Sequence, residues 1–114
     1  MNKNLTSSEP CYFRNKNLSK CLRALKEYHP EKIILFGSYV QGGEDEYSDL
    51  DLVVIKKTRK RFLNRLKEVM MLIKPTFALD ILVYTPRELE KLIEEGNPFI
   101  EQVMEKGRVI YEKS

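Results

Sequence analysis

The sequence predicts an α/β domain in which helices pack on a small mixed β-sheet of about four strands. Three short apolar runs, at 32–36, 80–84 and 108–111, are typical of buried strands. A fourth segment, 49–56, begins with alternating acidic and aliphatic residues, as a strand with two different faces does. Between these segments the apolar residues recur at helical spacing, so helices and strands should be interleaved along the chain.

Prolines bound the first two predicted helices. An amphipathic helix carries apolar residues from Leu18 onward and should end near His29-Pro30, because the residue before a proline avoids the helical conformation. A second helix follows the 49–56 segment and should break near Lys74-Pro75. Its predicted apolar stripe consists of Phe62, Leu63, Leu66, Val69, Met70 and Ile73.

The second helix is also strongly basic. Residues 56–67 contain seven bases and no acid, a charge that would attract triphosphate or nucleic acid. The apolar stripe favours a simpler interpretation, in which the bases form the solvated face of the helix. Direct nucleic-acid binding is therefore not expected. The seven bases are Lys56, Lys57, Arg59, Lys60, Arg61, Arg65 and Lys67.

Capping signals predict two further helices and a last strand. Thr85-Pro86-Arg87-Glu88 has the form of a capping box with proline at the first helical position, and Gly96 should end that helix. Asn97-Pro98 starts another helix by the same logic, and Gly107 should end it before the 108–111 strand. The stripe of this last helix is expected in the core, although the helix pair is also a candidate docking surface. That stripe is Phe99, Ile100, Val103 and Met104.

Length and composition fit one globular domain. Of 114 residues, 1–16 are expected to form a flexible tail and 17–114 a single domain. The polar tail lacks the apolar core of a secretory signal, so a cytoplasmic protein without a membrane span is expected. Cys11 and Cys21 are too few for a disulfide framework and are interpreted as thiols. His29 is the only histidine of the sequence, which excludes a histidine-based metal site within the chain.

The chemistry of the chain is predicted from the segment between the first two strands. The strand 32–36 runs into Gly37-Ser38, a glycine turn whose backbone N–H groups suit a phosphate. Asp49 and Asp51 then alternate with Leu50 and should project to one face, where two carboxylates can bind hard cations such as Mg²⁺. A third carboxylate, Asp80, opens an apolar strand, where a charge is costly unless it is paired or coordinated.

These motifs closely resemble the minimal nucleotidyltransferase family of the DNA polymerase beta-like superfamily. The resemblance covers roughly residues 18 to 112 and includes the sequence segments 84–88 and 95–99. It implies a polymerase beta-like palm fold, nucleotide contacts at Gly37 and Ser38, and metal ligation and catalysis by Asp49, Asp51 and Asp80. It also implies two Mg²⁺ ions and ATP as the nucleotide substrate.

The resemblance further implies a partner. Minimal nucleotidyltransferases of this type include MntA-like antitoxins, which neutralise a HEPN-domain ribonuclease toxin by adenylylating a tyrosine. The chain has no room for a large acceptor-binding domain, which agrees with an acceptor presented by another protein. The leading hypothesis is therefore an antitoxin that transfers AMP from ATP to a partner.

Two alternatives stay open. Many family members follow Gly-Ser with basic residues, whereas this chain has Tyr39-Val40-Gln41, and Lys56, Lys57 or Arg59 would have to replace the missing cation. A catalytically weak binding module that neutralises its partner by occlusion is the first alternative. A small-molecule nucleotidyltransferase, with an acceptor pocket built across a homodimer, is the second.

Overall fold

The computed structural model of the protein describes residues 16–37 and 50–113. Within these ranges, four helices and four strands follow one another in an interleaved order. This order confirms the predicted α/β class. The elements are α1 (Lys16–Lys26), β1 (Lys32–Phe36), β2 (Leu50–Ile55), α2 (Phe62–Ile73), β3 (Leu79–Tyr84), α3 (Pro86–Glu94), α4 (Pro98–Lys106) and β4 (Arg108–Glu112).

The strands form one mixed sheet in the order β3-β2-β1-β4. β1 lies antiparallel to both β2 and β4, whereas β2 and β3 are parallel. A parallel pair requires a crossover connection, and α2 supplies it. The crossover brings the start of β3 beside the start of β2, so the carboxylates of these two strands become neighbours.

Helices cover both faces of the sheet. On the first face, Leu50, Leu52 and Val54 of β2 belong to the larger hydrophobic cluster, which also contains buried residues of α1 and α2. On the second face, Val53 and Ile55 pack in a smaller cluster with residues of α3 and α4. Because side chains alternate along a strand, Asp51 projects toward the second face. The expected separation of Asp51 from the Leu50, Leu52 and Val54 face is confirmed, whereas Asp49 lies outside the described residues.

Local signals set the helix ends where the sequence predicted them. The Thr85 hydroxyl accepts a hydrogen bond from the Glu88 N–H at 3.1 Å, and the Glu88 carboxylate accepts one from the Thr85 N–H at 2.9 Å. This is the predicted capping box. The Asn97 Oδ1 caps α4 by accepting from the Ile100 N–H at 3.1 Å. These caps fix the residues at which α3 and α4 begin.

The predicted faces of α2 are wrong in several respects. Five of the seven bases precede the helix, namely Lys56, Lys57, Arg59, Lys60 and Arg61. Met70 of the predicted apolar stripe is 38% exposed. Arg65, expected among the solvated bases, is only 5% exposed, whereas Leu63 of the predicted apolar stripe is 70% exposed. The buried residues of α2 are Arg65, Val69 and Ile73, a helical row in which an arginine takes the first place. Burial of the guanidinium is tolerated because it finds a carboxylate and two backbone carbonyls, partners that lie outside the helix stripe.

Two further expectations concern exposure to solvent and lipid. Cys21 is a buried free thiol, and its burial raises its pKa to about 11. Cys11 lies outside the described residues. None of the helices in residues 16–37 and 50–113 has the length and apolar character needed to cross a membrane.

Candidate active site

Asp51 and Asp80 occupy adjacent strands in direct register. β2 and β3 are parallel, and Asp51 is the partner of Asp80 in their pairing. Neighbouring strands lie about 4.8 Å apart, so the two carboxylates leave the sheet side by side. They line a cavity of about 310 Å³ together with Phe36, Ile81, Leu82 and Phe99. The cavity therefore carries two oxygen ligands of the type that Mg²⁺ prefers.

Gly37 brings the end of β1 against the same carboxylate. Phe36 pairs with Asp51 across the antiparallel β1–β2 ladder, and Gly37 follows with a φ of 89°. A Cβ at this position would overlap the Asp51 Oδ2 and would lie 3.0 Å from its Cγ. Only glycine combines this left-handed backbone with so close an approach. The predicted phosphate turn is therefore in contact with a predicted metal ligand.

Two of the predicted site residues, Ser38 and Asp49, lie outside the described residues. Gly37, Asp51 and Asp80 are brought together. Within residues 16–37 and 50–113, no group of three or more histidine, cysteine, aspartate or glutamate side chains could hold a metal ion. The described carboxylates thus form a pair, and Asp49, the remaining expected ligand, directly precedes β2 in the sequence.

Two of the three basic residues considered as replacements for the missing cation, Lys56 and Lys57, lie elsewhere. Lys56 follows the far end of β2, and its Nζ donates a hydrogen bond of 2.6 Å to the Tyr28 carbonyl. Lys57 lines a different cavity with Glu31 and Glu112. At about 3.3 Å per strand residue, that end of β2 is roughly 15 Å from Asp51. The fold therefore does not bring Lys56 or Lys57 to the carboxylates.

The structure adds residues of α4 that the sequence pattern did not single out for the site. Phe99 meets Phe36 edge to face, with ring centroids 5.4 Å apart. It remains 39% exposed, and Met104 is 44% exposed, so only part of the predicted α4 stripe is core. Gln102 and Lys106 line a second cavity, of about 190 Å³, beside Gly37. The spacing of Phe99, Gln102 and Lys106 on one helix face was the available signal.

Two relatives from Methanocaldococcus jannaschii carry the provisional name protein adenylyltransferase. The first, MJ1305, is 34% identical over an alignment of 87 positions that covers 71% of this chain and 58% of the relative. The chain thus spans less than two thirds of that relative's length. The second, MJ0141, is 28% identical over 92 residues, which are 81% of this chain and 90% of the relative.

Solved structures share the fold at low sequence identity. A provisionally named nucleotidyltransferase from Sulfolobus solfataricus superposes with a TM-score of 0.60 at 18% identity, covering 99% of this chain and 93% of its own. A variant of the toxin-antitoxin MntA-HpeT gives a TM-score of 0.54 at 19% identity, over 85% and 73% of the two chains. A toxin-antitoxin structure with AMP-PNP gives 0.52 at 21% identity, over 84% and 73%.

The family model described as "Polymerase beta, Nucleotidyltransferase" matches residues 19–114. This range contains every element from β1 to β4, together with the glycine turn and both described carboxylates. The match confirms the resemblance that the motifs indicated. The chain belongs to the polymerase beta nucleotidyltransferase family.

Proposed function

We propose that the protein is a Mg²⁺-dependent nucleotidyltransferase that transfers AMP from ATP to a hydroxyl group of a partner protein. The observation that carries the proposal is the placement of Asp51 and Asp80 in register on parallel strands, beside Gly37. A carboxylate pair next to a phosphate-binding turn suits the in-line displacement of pyrophosphate from a triphosphate.

The donor set of the site fits magnesium. Carboxylate oxygens from Asp51 and Asp80, to which we propose that Asp49 adds a third, are the hard ligands that this ion selects. Bound Mg²⁺ would neutralise charge on the attacking and leaving oxygens. Asp80 would also accept the proton of the acceptor hydroxyl as its oxygen attacks the α-phosphorus and the bond to pyrophosphate breaks. Gly37 would let the phosphates approach the backbone.

Several observations support a protein acceptor. The two Methanocaldococcus relatives are named protein adenylyltransferases, and two structural neighbours are toxin-antitoxin complexes. The α3–α4 pair exposes Ile93, Phe99 and Met104, each at least 39% accessible, and Phe99 also lines the candidate site. We therefore propose a toxin as partner, of the HEPN type, with a tyrosine as the modified residue and antitoxin activity as the result.

The test combines the protein with α-labelled nucleoside triphosphates, Mg²⁺ and the product of the neighbouring gene. Wild type should add one or more AMP units, detected as label and as a gain in intact mass. Asp51→Asn and Asp80→Asn should each lower transfer by more than about 100-fold, since even residues that merely support metal ligands cost 10- to 100-fold. Glu105→Gln, which removes an exposed carboxylate from α4, is the matched control and should transfer normally.

The outcomes separate the hypotheses. Substantial transfer by Asp51→Asn would exclude the proposed metal site. A stable, inhibited complex without any label, unaffected by either aspartate substitution, would favour the binding module. Label on an aminoglycoside with the protein alone would favour small-molecule modification.

A further inference from the structure

We infer that Lys106 of α4 binds the terminal phosphates of the nucleoside triphosphate and replaces the basic residue missing after Gly37-Ser38. The inference rests on the proposed function and adds a substrate-binding residue to it. It follows from the position of Lys106 in the cavity beside Gly37.

The two cavities near the glycine turn adjoin one another. One holds Asp51 and Asp80, and the other is lined by Gly37, Gln102, Val103 and Lys106. Phe36 and Phe99 line both cavities, so their edge-to-face pair lies where the two spaces meet. In the proposed binding mode, phosphates that begin near the carboxylates extend past Gly37 into the second cavity, which Lys106 lines.

Helix geometry directs Lys106 into this space. Phe99, Gln102, Val103 and Lys106 are spaced at three, four and seven residues, which places them on one face of α4. Val103 is buried against the sheet, and Phe99 contacts Phe36. The helix is thus held with this face toward the glycine turn.

Lys106 differs from several other lysines of the described residues in its ion pairing. Within the described residues it makes no ion pair, whereas Lys32, Lys60 and Lys113 are each paired with a glutamate. Lys106 lies in the last turn of α4, where its positive charge interacts favourably with the helix dipole. This is a purely structural role that any positive side chain would fulfil. A nucleotide-binding role differs from this structural role because it depends on the number of phosphates in the ligand.

The experiment measures binding of ATP and AMP, each with Mg²⁺, to the full chain by calorimetry. Lys106→Gln should weaken ATP binding about tenfold, the lower end expected for one hydrogen bond to a charged group. Its affinity for AMP should change less than about twofold, since AMP lacks the terminal phosphates. Lys106→Arg should restore most of the ATP affinity, because it keeps the positive charge.

Arg108→Gln is the matched control. It removes one positive charge two residues away, but Arg108 pairs with Leu35, whose side chain belongs to the cluster on the other face of the sheet. Its ATP affinity should stay within about twofold of wild type. An equal loss for Arg108→Gln and Lys106→Gln would attribute the effect to net charge and would overturn the inference.

Other outcomes are equally decisive. Unchanged ATP binding by Lys106→Gln overturns the inference, as does an equal loss of ATP and AMP binding accompanied by a lower melting temperature. Wild type that binds no ATP overturns both the inference and the proposed function. If wild type binds ATP in the predicted manner but labels no protein, the proposed protein acceptor is wrong, whereas the inferred role of Lys106 is supported.

Discussion

Replacement of Arg65 by methionine should destabilise the domain strongly. If Arg65 lay on a solvated helix face, the same replacement would have little effect. The guanidinium donates hydrogen bonds to both carboxylate oxygens of Glu88, at 2.7 and 3.1 Å. It also donates to the carbonyls of Val83 at 3.1 Å and Lys60 at 2.8 Å. These bonds join α2, on the first face of the sheet, to β3 and to the start of α3, on the second face. The substitution therefore removes a link between the two helix layers.

The magnitude follows from the unequal exposure of the pair. Breaking a fully buried ion pair costs about 3–5 kcal/mol. Here the Arg65 side chain is 6% exposed and that of Glu88 is 43% exposed, so water solvates the glutamate that remains. We therefore expect Arg65→Met to lower the free energy of unfolding by about 2–3 kcal/mol. Because 1 kcal/mol shifts the midpoint of such a domain by about 4–8 °C, the melting temperature should fall by about 10–20 °C.

The assay is urea unfolding at neutral pH, with Lys67→Met as the control because Lys67 is an exposed base of the same helix. The control should change the free energy of unfolding by less than about 0.5 kcal/mol. Glu88→Gln, introduced into Arg65→Met, should add little, since its partner is already gone. A loss below about 1 kcal/mol for Arg65→Met would refute the assignment of Arg65 as a structural anchor.

The same pair predicts a pH dependence. The hydrogen bond from Arg65, followed by backbone and side-chain bonds from Thr85, holds the pKa of Glu88 below its usual range. A depressed carboxyl pKa contributes stability above its unfolded value of about 4.3, and that contribution is lost as the pH falls through the folded pKa. Wild type should therefore lose more stability than Arg65→Met when unfolding is repeated at progressively lower pH below 4.

Two other predictions concern the glycine turn and the buried thiol. Gly37→Ala should abolish nucleotide transfer, because its Cβ would collide with the Asp51 carboxylate. The control is Gly96→Ala, which also has a positive φ but whose Cβ would lie 3.8 Å from the nearest atom, so it should only lower stability by about 1 kcal/mol. Full activity of Gly37→Ala in the transfer assay would contradict this geometry. Cys21 should react with iodoacetamide far more slowly in native than in urea-unfolded protein, since burial raises its pKa to about 11, and equal rates by peptide mass spectrometry would contradict its burial.

The helices and strands were predictable from local chemistry. Thr85 and Glu88 are three residues apart and form their capping box within one helical turn. Asn97 and Gly107 bound α4 in the same way. The alternation that sends Leu50 and Asp51 to opposite faces of β2 is likewise a property of an extended chain. Such signals act over a few residues and can therefore be recognised in the sequence alone.

The sequence by itself also determined the chemistry of the candidate site, since the glycine turn and the aspartates are present in the chain whatever its fold. Only the tertiary structure decided their register, because the pairing of Asp51 with Asp80 depends on a crossover through α2. Tertiary structure likewise buried Arg65, whose carboxylate partner lies 23 residues away. It also placed Lys106 and Gly37 in the lining of one cavity. The burial and the orientation of a charged side chain depend on partners from other helices and strands, and a local sequence pattern does not show where those partners lie.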